Sequence, residues 1–342
     1  MGFGGRKRNL HPGYAFAEPG QIGMALLQPG AIVRDRRMTQ NTPSRTALPG
    51  TEAVDPRYEG LDVWPPHTRL EAMWEGQMAA IAAVRPALPA IAAAADAAAR
   101  RLAAGGRLVY AGAGTSGRIG VQDGAELPPT FDWPQSRIVM LMAGGEVAFT
   151  RSIENAEDDS AAAATAVAEH AIAASDVVLG VAASGSTPFT TAAIRTARAR
   201  GALTIGISNS AGGKLLVEAE HPILVETGAE VVAGSTRMKA GTAQKVVLNL
   251  FSTEVMIALG RVHQGLMVDM QAKNAKLRLR AIRMLRTLTA ADDAALESAL
   301  ATAGGNVKTA VLVLHGLDRG GAEARLAAHG GHLRAALAGL GT

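Results

Sequence analysis

An open α/β sandwich is the fold this sequence predicts, a parallel sheet with helices on both faces followed by a small helical bundle. Three observations predict it. Five short apolar runs, Arg107–Ala111, Arg137–Ala143, Asp176–Ala182, Leu203–Ile207 and His221–Glu226, recur with Gly- and Ser-rich turns after them. Segments of helical length separate the runs, and that alternation calls for right-handed crossovers between parallel strands. The 342 residues are 48% hydrophobic, which excludes a disordered chain, and only 4% aromatic, so the core is built from Ala, Val, Leu, Ile and Met.

The elements follow in order. Residues 1–50 mix Gly, Pro, Arg and polar residues without periodicity and read as a disordered extension; Met38 is a candidate natural start within it. From Arg69 to about Ala104, apolar residues at helical spacing are broken by Pro86 and Pro89, which predicts two lead-in helices. After the five strands, Met238 to about Val262 predicts one long apolar helix and Asp269 to Leu288 a basic one. The remainder, Thr289–Thr342, predicts three or four short helices separated by Gly304-Gly305, Gly320-Gly321 and Gly330-Gly331. The expected boundaries are therefore 1–50, 51–288 and 289–342.

Charge and composition exclude several functions. Seven of the 34 Lys and Arg but only two of the 30 Asp and Glu fall in residues 1–50, which leaves the rest of the chain at −1. The basic balance thus belongs to the extension and offers no nucleic-acid groove in the body. There is no cysteine, so disulfides, thiolate nucleophiles and zinc–sulfur sites are absent. No continuous apolar run reaches the roughly 18 residues of a membrane span, and no signal-type stretch is seen at the N-terminus. The expectation is a soluble, cytoplasmic protein without nucleic-acid or membrane partners.

Ligands of an open parallel sheet bind beyond the carboxyl ends of its strands. Three segments occupy such places. The first is Gly112-Ala113-Gly114-Thr115-Ser116-Gly117-Arg118, where Thr115 and Ser116 offer hydroxyls at a helix start. The second is Ala183-Ser184-Gly185-Ser186-Thr187-Pro188, with hydroxyls at Ser184, Ser186 and Thr187 and a proline suited to a first helical turn. One such loop is also what an ordinary capped turn looks like, but two at equivalent strand ends point to a phosphate cradle. The third runs from Gly228 to Lys245 and sets Ser235, Thr236, Arg237 and Lys239 at the entrance of the long helix, where they would complement an anion. Dinucleotide binding is disfavoured because no acidic residue ends the second strand, and no GxxxxGK[ST] P-loop occurs.

A phosphate cradle alone does no chemistry, so carboxylates are needed. Glu126 follows the first loop, in DGAELPP, beside prolines expected to halt the helix and fix the backbone. Glu157 lies among four neighbouring acids in IENAEDD, a pattern that by itself fits a solvated charge better than a catalytic one. Two carboxylates held near neighbouring strand ends could act as acid and base.

GAGTSGRIGVQDGAELPPTF, IENAEDD, GVAASGSTPF, GAEVVAGSTRMKAGTAQK and GLMVDMQAKNAKL together closely resemble the bacterial N-acetylmuramic acid 6-phosphate etherases. That family is related to the animal glucokinase regulatory protein and carries a sugar isomerase (SIS) phosphosugar-binding domain. The likeness spans about Thr51 to Leu340. It implies a SIS-type three-layer sandwich with a five-stranded parallel sheet. It also implies cleavage of the lactyl ether of N-acetylmuramic acid 6-phosphate to N-acetylglucosamine 6-phosphate and D-lactate, by elimination and hydration, in cell-wall sugar recycling or scavenging. No metal or redox cofactor is implied.

In the family the DGAELPP glutamate is taken as the proton donor, so that role falls to Glu126, and the NAEDD glutamate, Glu157, is the other acid–base group. The resemblance assigns the phosphate to Thr115, Ser116, Ser184, Ser186 and Thr187, with Ser235, Thr236 and Lys239 completing the expected substrate contacts. Family members are usually homodimers with sites near the subunit interface, and the long helix is the expected contact. Two residues depart from the family: Ser186 where many members have Arg, and Gly265 where many have Asn. Two rival readings share the fold, a phosphosugar-sensing regulator and a phosphosugar isomerase or deacetylase. The first has no need of both glutamates, and the second is not expected to carry GSTRMKAGTAQK.

Overall fold

The computed structural model describes residues 50–272 and 274–340. The expected extension, as far as residue 49, and Met38 within it lie outside the described residues. Helix α1 (Pro66–Ala82) begins on a proline, whose missing N–H has no intrahelical partner to lose. A 3-10 turn at Arg85–Ala87 precedes α2 (Leu88–Ala103), and Pro89 occupies its first turn. By length and mean hydropathy Pro66–Ala103 could cross a membrane, although Arg85 and Asp96 interrupt its apolar residues. The turn divides that stretch, and Ile91, Ala94, Ala95, Ala98 and Leu102 are buried in the core.

Strands β1 (Leu108–Gly112), β2 (Ile138–Met142), β3 (Val177–Ala182), β4 (Leu203–Ser208) and β5 (His221–Leu224) form the expected parallel sheet, in the order β2-β1-β3-β4-β5. Alternation along each strand feeds two cores. Leu108, Tyr110, Leu179, Ile205 and Ile207 pack with residues of α1, α2, α3 (Gly114–Phe131) and α7 (Lys239–Ala258). Val109, Ala111, Val139 and Val178 pack with α4 (Ser160–Glu169), α5 (Pro188–Ala199) and α6 (Lys214–Glu218) on the opposite face. Below the sheet, buried Asp176 joins the lead of β3 to that of β1: Arg107 donates to it from its backbone N and from Nε and Nη2, at 3.0, 3.1 and 2.7 Å.

Local expectations are corrected at several points. Helix α3 continues through Pro128 and Pro129 to Phe131, and it is closed beyond them by Asp132 at φ +50°, whose N–H donates to Pro128 O at 3.0 Å. Helix α7 ends at Ala258, since Gly260 adopts φ +72° and Val262–His263 (β6) turns back to pair with Leu266–Met267 (β7). Gly265 is a turn residue of that hairpin at φ +77°, a conformation that Gly and Asn adopt readily. Its departure from Asn therefore concerns the turn.

Helix α8 (Ala275–Leu288) starts six residues later than expected, where Asn274 caps it by accepting from Leu277 N at 2.9 Å. Its Ala281, Ile282, Met284 and Leu285 pack in a separate cluster with α9 (Asp293–Thr302), α10 (Val307–Leu314), α11 (Arg319–Ala328) and α12 (Leu333–Leu337). Packing thus groups α8 with the bundle, ahead of the boundary expected after Leu288. Gly304-Gly305 and Gly330-Gly331 separate helices as expected, whereas Gly320-Gly321 lie in the first turn of α11, capped by Asp318.

Candidate active site

Leaving β1 the chain goes to β2 on one side and then returns to β3 on the other, so β1 and β3 flank the switch point where open sheets bind ligands. The first two Gly/Ser loops leave these two strands. Their glycines have steric reasons. A Cβ on Gly117 would stand 2.3 Å from Met142 Sδ and 2.8 Å from Gly112 O, so only glycine allows α3 to start hard against β1. Gly114 takes φ +51° and turns the chain directly from strand into helix. Residue Ala113 supplies no side-chain cap, which leaves N–H groups of the first turn of α3 open to an anion.

In the second loop, Gly185 adopts φ +66° close to Ser208 and Gly213. The Ser186 N–H donates to Ser184 Oγ at 3.2 Å, and Thr187 precedes α5 without capping it through its side chain. Between the loops lies a cleft of about 450 Å³. Thr115, Ser116, Ser184, Ser186, Thr187 and Thr236 line it, six of the eight residues expected to bind substrate. Two helix N-termini and hydroxyl groups converge there, and among the described residues no Lys, Arg or His lines it.

Ser235 and Lys239 do not line the cleft. Lys239 is buried, and its Nζ donates to Ala229 O at 2.8 Å; burial lowers its pKa from the usual lysine value, against the pull of Glu230. The Glu230 carboxylate accepts from the N–H groups of Lys239 and Ala240 at 2.8 and 2.9 Å, and so occupies the N-terminus of α7. The N-terminus of α7 is thus filled by a carboxylate of the same chain. A buried chain of Gln244, Asn209 and Val225 holds α7 to the ends of β4 and β5, with Gln244 Nε2 donating to Asn209 Oδ1 at 2.9 Å and Asn209 Nδ2 to Val225 O at 3.2 Å.

The two glutamates are placed differently. Glu157 is carried by a 3-10 turn, Ala156–Asp158, entered through Asn155 at φ +60°, and it lines the cleft. Neighbouring Asp159 caps α4 by accepting from Ala162 N at 2.8 Å, so the acidic run is divided between structure and cleft. Glu126 is exposed on α3 and does not line the cleft of its own chain. One turn earlier Asp123 is buried and fastens α3 to its neighbours: Tyr110 Oη donates to Oδ2 at 2.8 Å, Asn249 Nδ2 to Oδ1 at 2.7 Å and Ser252 Oγ to Oδ1 at 3.1 Å. Burial pushes the Asp123 carboxyl up, and these donors act against the rise; burial also pushes the Tyr110 phenol well up, reinforced by Asp123.

Sequence reasoning missed further cleft residues. Glu52 and Asp158 both line it. Glu52 is held there because buried Thr51 makes a 3.3 Å hydroxyl contact with Ser210, and the Glu52 carboxylate lies over Gly234. The strongest signal was the Thr51-Glu52 start of the family-like region, outside any Gly/Ser loop.

The family model described as glucokinase regulatory protein N-terminal SIS domain matches residues 90–198, and that described as SIS domain matches residues 155–254. A protein of Deinococcus radiodurans named N-acetylmuramic acid 6-phosphate etherase is 48% identical over 84% of this chain and 94% of its own length. Proteins of the same name from Streptomyces avermitilis and Serratia proteamaculans are 49% and 43% identical, over 84% of this chain in both cases and 93% and 97% of their own lengths. Among solved structures, a phosphoheptose isomerase from Francisella tularensis is 21% identical with a TM-score of 0.42, covering 57% of this chain and 98% of that one.

Proposed function

The chain belongs to the N-acetylmuramic acid 6-phosphate etherase family, and from that premise we propose how its residues carry the reaction. Its function is that of an N-acetylmuramic acid 6-phosphate etherase. The observation that carries the assignment of the chemistry to this cleft is that Glu157 and the hydroxyl cradle at the β1/β3 switch point line one cavity.

In this reading the phosphate is held by Thr115, Ser116, Ser184, Ser186 and Thr187 and by the open N–H groups at the start of α3. Glu157 is the base that takes the proton from carbon 2 of the open-chain aldehyde. The electron pair forms the carbon 2–carbon 3 double bond and expels the lactyl oxygen from carbon 3. Glu126 donates the proton to that oxygen, then takes a proton from the water that adds to carbon 3, while Glu157 returns its proton to carbon 2. Substrate and one water thus give N-acetylglucosamine 6-phosphate and D-lactate, the balance of a carbon–oxygen lyase step followed by hydration. Thr236 and Glu52 contact the sugar, while Ser235 and Lys239 shape the loop that carries Thr236.

Glu126 reaches a cleft through a second copy of the chain. Leu70, Trp74, Met78 and Ile81 form an exposed apolar stripe on α1, and Leu250 and Ile257 are exposed on α7, which packs against α1, α2 and α3. Gln122, one turn before Glu126, accepts from Lys245 of α7 at 3.5 Å, so Glu126 borders that same face. A homodimer formed there covers the stripe and offers Glu126 to the partner's cleft. The long helix expected to make the contact is largely buried, and α1 carries more of the apolar surface. We take the enzyme to be cytoplasmic, where a phosphorylated sugar is available, with residues from Thr51 into α7 as the catalytic domain and α8 to α12 as a structural cap.

The test is turnover of N-acetylmuramic acid 6-phosphate in oxygen-18 water, followed by mass spectrometry. Heavy oxygen in N-acetylglucosamine 6-phosphate and none in D-lactate is the expected result. Heavy oxygen in the lactate would mean cleavage on its other side and would end the elimination reading.

A further inference from the structure

We propose that a second cavity beside the cleft, lined by Arg118 and Arg151, receives the lactyl carboxylate; this rests on the etherase reading above. The substrate carries two anions, a phosphate and a carboxylate, and the cleft is equipped for one of them. Its hydroxyls and helix N-termini suit a phosphate, while Glu52, Glu157 and Asp158 line it and, among the described residues, no cation stands there to neutralise a second negative group. The adjoining cavity, about 170 Å³, has room for a three-carbon hydroxy acid. It shares Ala113, Gly114 and Glu157 with the cleft, so Glu157 stands where the two meet.

The wall of this cavity is built by one of its own cations. Arg118, at the start of the second turn of α3, donates from Nε to Ala148 O at 3.0 Å and from Nη2 to Arg151 O at 2.9 Å, which folds the segment after β2 around the opening. Arg118 Nη1 and the entire Arg151 guanidinium make no hydrogen bond or ion pair among the described residues. Glu154 also lines the cavity, so its own charges, two guanidiniums against Glu154 and Glu157, balance before substrate enters. A carboxylate seated on the Arg118 and Arg151 forks places the ether oxygen at the seam, beside Glu157. The second anion is thus recognised by residues outside the phosphate cradle, and neither depends on an Arg at position 186.

The test separates the two ends of the substrate. Arg151→Gln removes a guanidinium without removing the Arg118 bonds that shape the wall, since those go to a main-chain oxygen. In the full-length enzyme it is expected to raise KM for N-acetylmuramic acid 6-phosphate, and the inhibition constant of D-lactate, by about tenfold each. Inhibition by N-acetylglucosamine 6-phosphate, which lacks the lactyl group, is expected to stay unchanged, and Arg151→Lys to recover part of the loss. Unchanged KM and D-lactate inhibition in Arg151→Gln would overturn the proposal. Equal weakening of N-acetylglucosamine 6-phosphate would also overturn it, by assigning Arg151 to the sugar phosphate. A wild-type enzyme that releases no D-lactate would fail earlier, and would overturn the etherase reading together with this subsite.

Discussion

Glu126 and Glu157 do not meet in one chain: Glu157 lines the cleft and the cavity beside it, whereas Glu126 is exposed ten residues beyond Ser116 on the same helix. At 1.5 Å per residue, that is about 15 Å along α3. If the reaction needs both, each site takes one glutamate from each of two copies. Mixing Glu126→Gln with Glu157→Gln then restores activity, because half of a randomly mixed dimer population carries one intact site. About a quarter of the wild-type sites are expected to return. Lactate release from the mixture no higher than from either variant alone would place both glutamates in one subunit.

The dimer has its own test at Trp74. This side chain is 64% exposed in the middle of the α1 stripe, so Trp74→Glu leaves the monomer fold intact while placing a charge in the contact. Sedimentation is expected to show monomers where the wild type shows dimers, and lactate release is expected to fall with the dimer fraction. An unchanged sedimentation coefficient would move the interface elsewhere.

Acid stability should depend on Asp176. Burial favours its neutral form but is outweighed by the hydrogen bonds of Arg107 and the Ala173 N–H, so its pKa lies below the usual aspartate value. Its contribution is therefore present above the unfolded-state pKa, near 4, and is lost as pH falls through the lower folded value. Asp176→Asn leaves Arg107 without its counter-charge and is expected to cost about 3 kcal/mol at neutral pH, since Arg107 keeps some solvent access. Urea unfolding between pH 7 and pH 3 checks both statements, and the variant should lose less stability on acidification than the wild type.

Two glycines separate steric need from turn preference. Gly117→Ala gains up to about 1 kcal/mol of helix propensity. Against that, the new Cβ meets the backbone oxygen of Gly112 at 2.8 Å as well as Met142 Sδ at 2.3 Å. Overpacking of about 1–3 kcal/mol outweighs the gain, with displacement of the phosphate loop. Gly265→Asn is expected to change stability by less than about 0.5 kcal/mol, because its Cβ meets open space and Asn adopts positive φ. Thermal unfolding of the two variants reads both.

The sheet was legible because its signals are local. Each apolar run ends within two residues of the strand found, and Gly114 and Gly185 adopt the positive φ that a tight strand-to-helix turn requires. The cradle was legible for the same reason, since both loops carry their hydroxyls in sequence. What escaped depends on contacts distant in the chain. Glu52 enters the cleft through the Thr51–Ser210 contact across 159 positions, and Lys239 leaves it because Glu230, nine residues earlier, takes the helix N-terminus. Pro128 and Pro129 looked like a stop, yet the helix runs two residues beyond them, to Phe131. The roles of Glu126 and Glu157 came from family likeness, because exposure and local acidity describe any solvated carboxylate equally well.

In the proposed mechanism Glu157 performs the chemistry in a cleft that binds the sugar phosphate independently of it. The most direct measurement compares Glu157→Gln with wild type for D-lactate release and for binding of N-acetylglucosamine 6-phosphate by calorimetry. Lactate release is expected to fall at least about a hundredfold while binding persists, because the substitution keeps the shape and removes the base. Lactate release near the wild-type rate in Glu157→Gln would contradict the account.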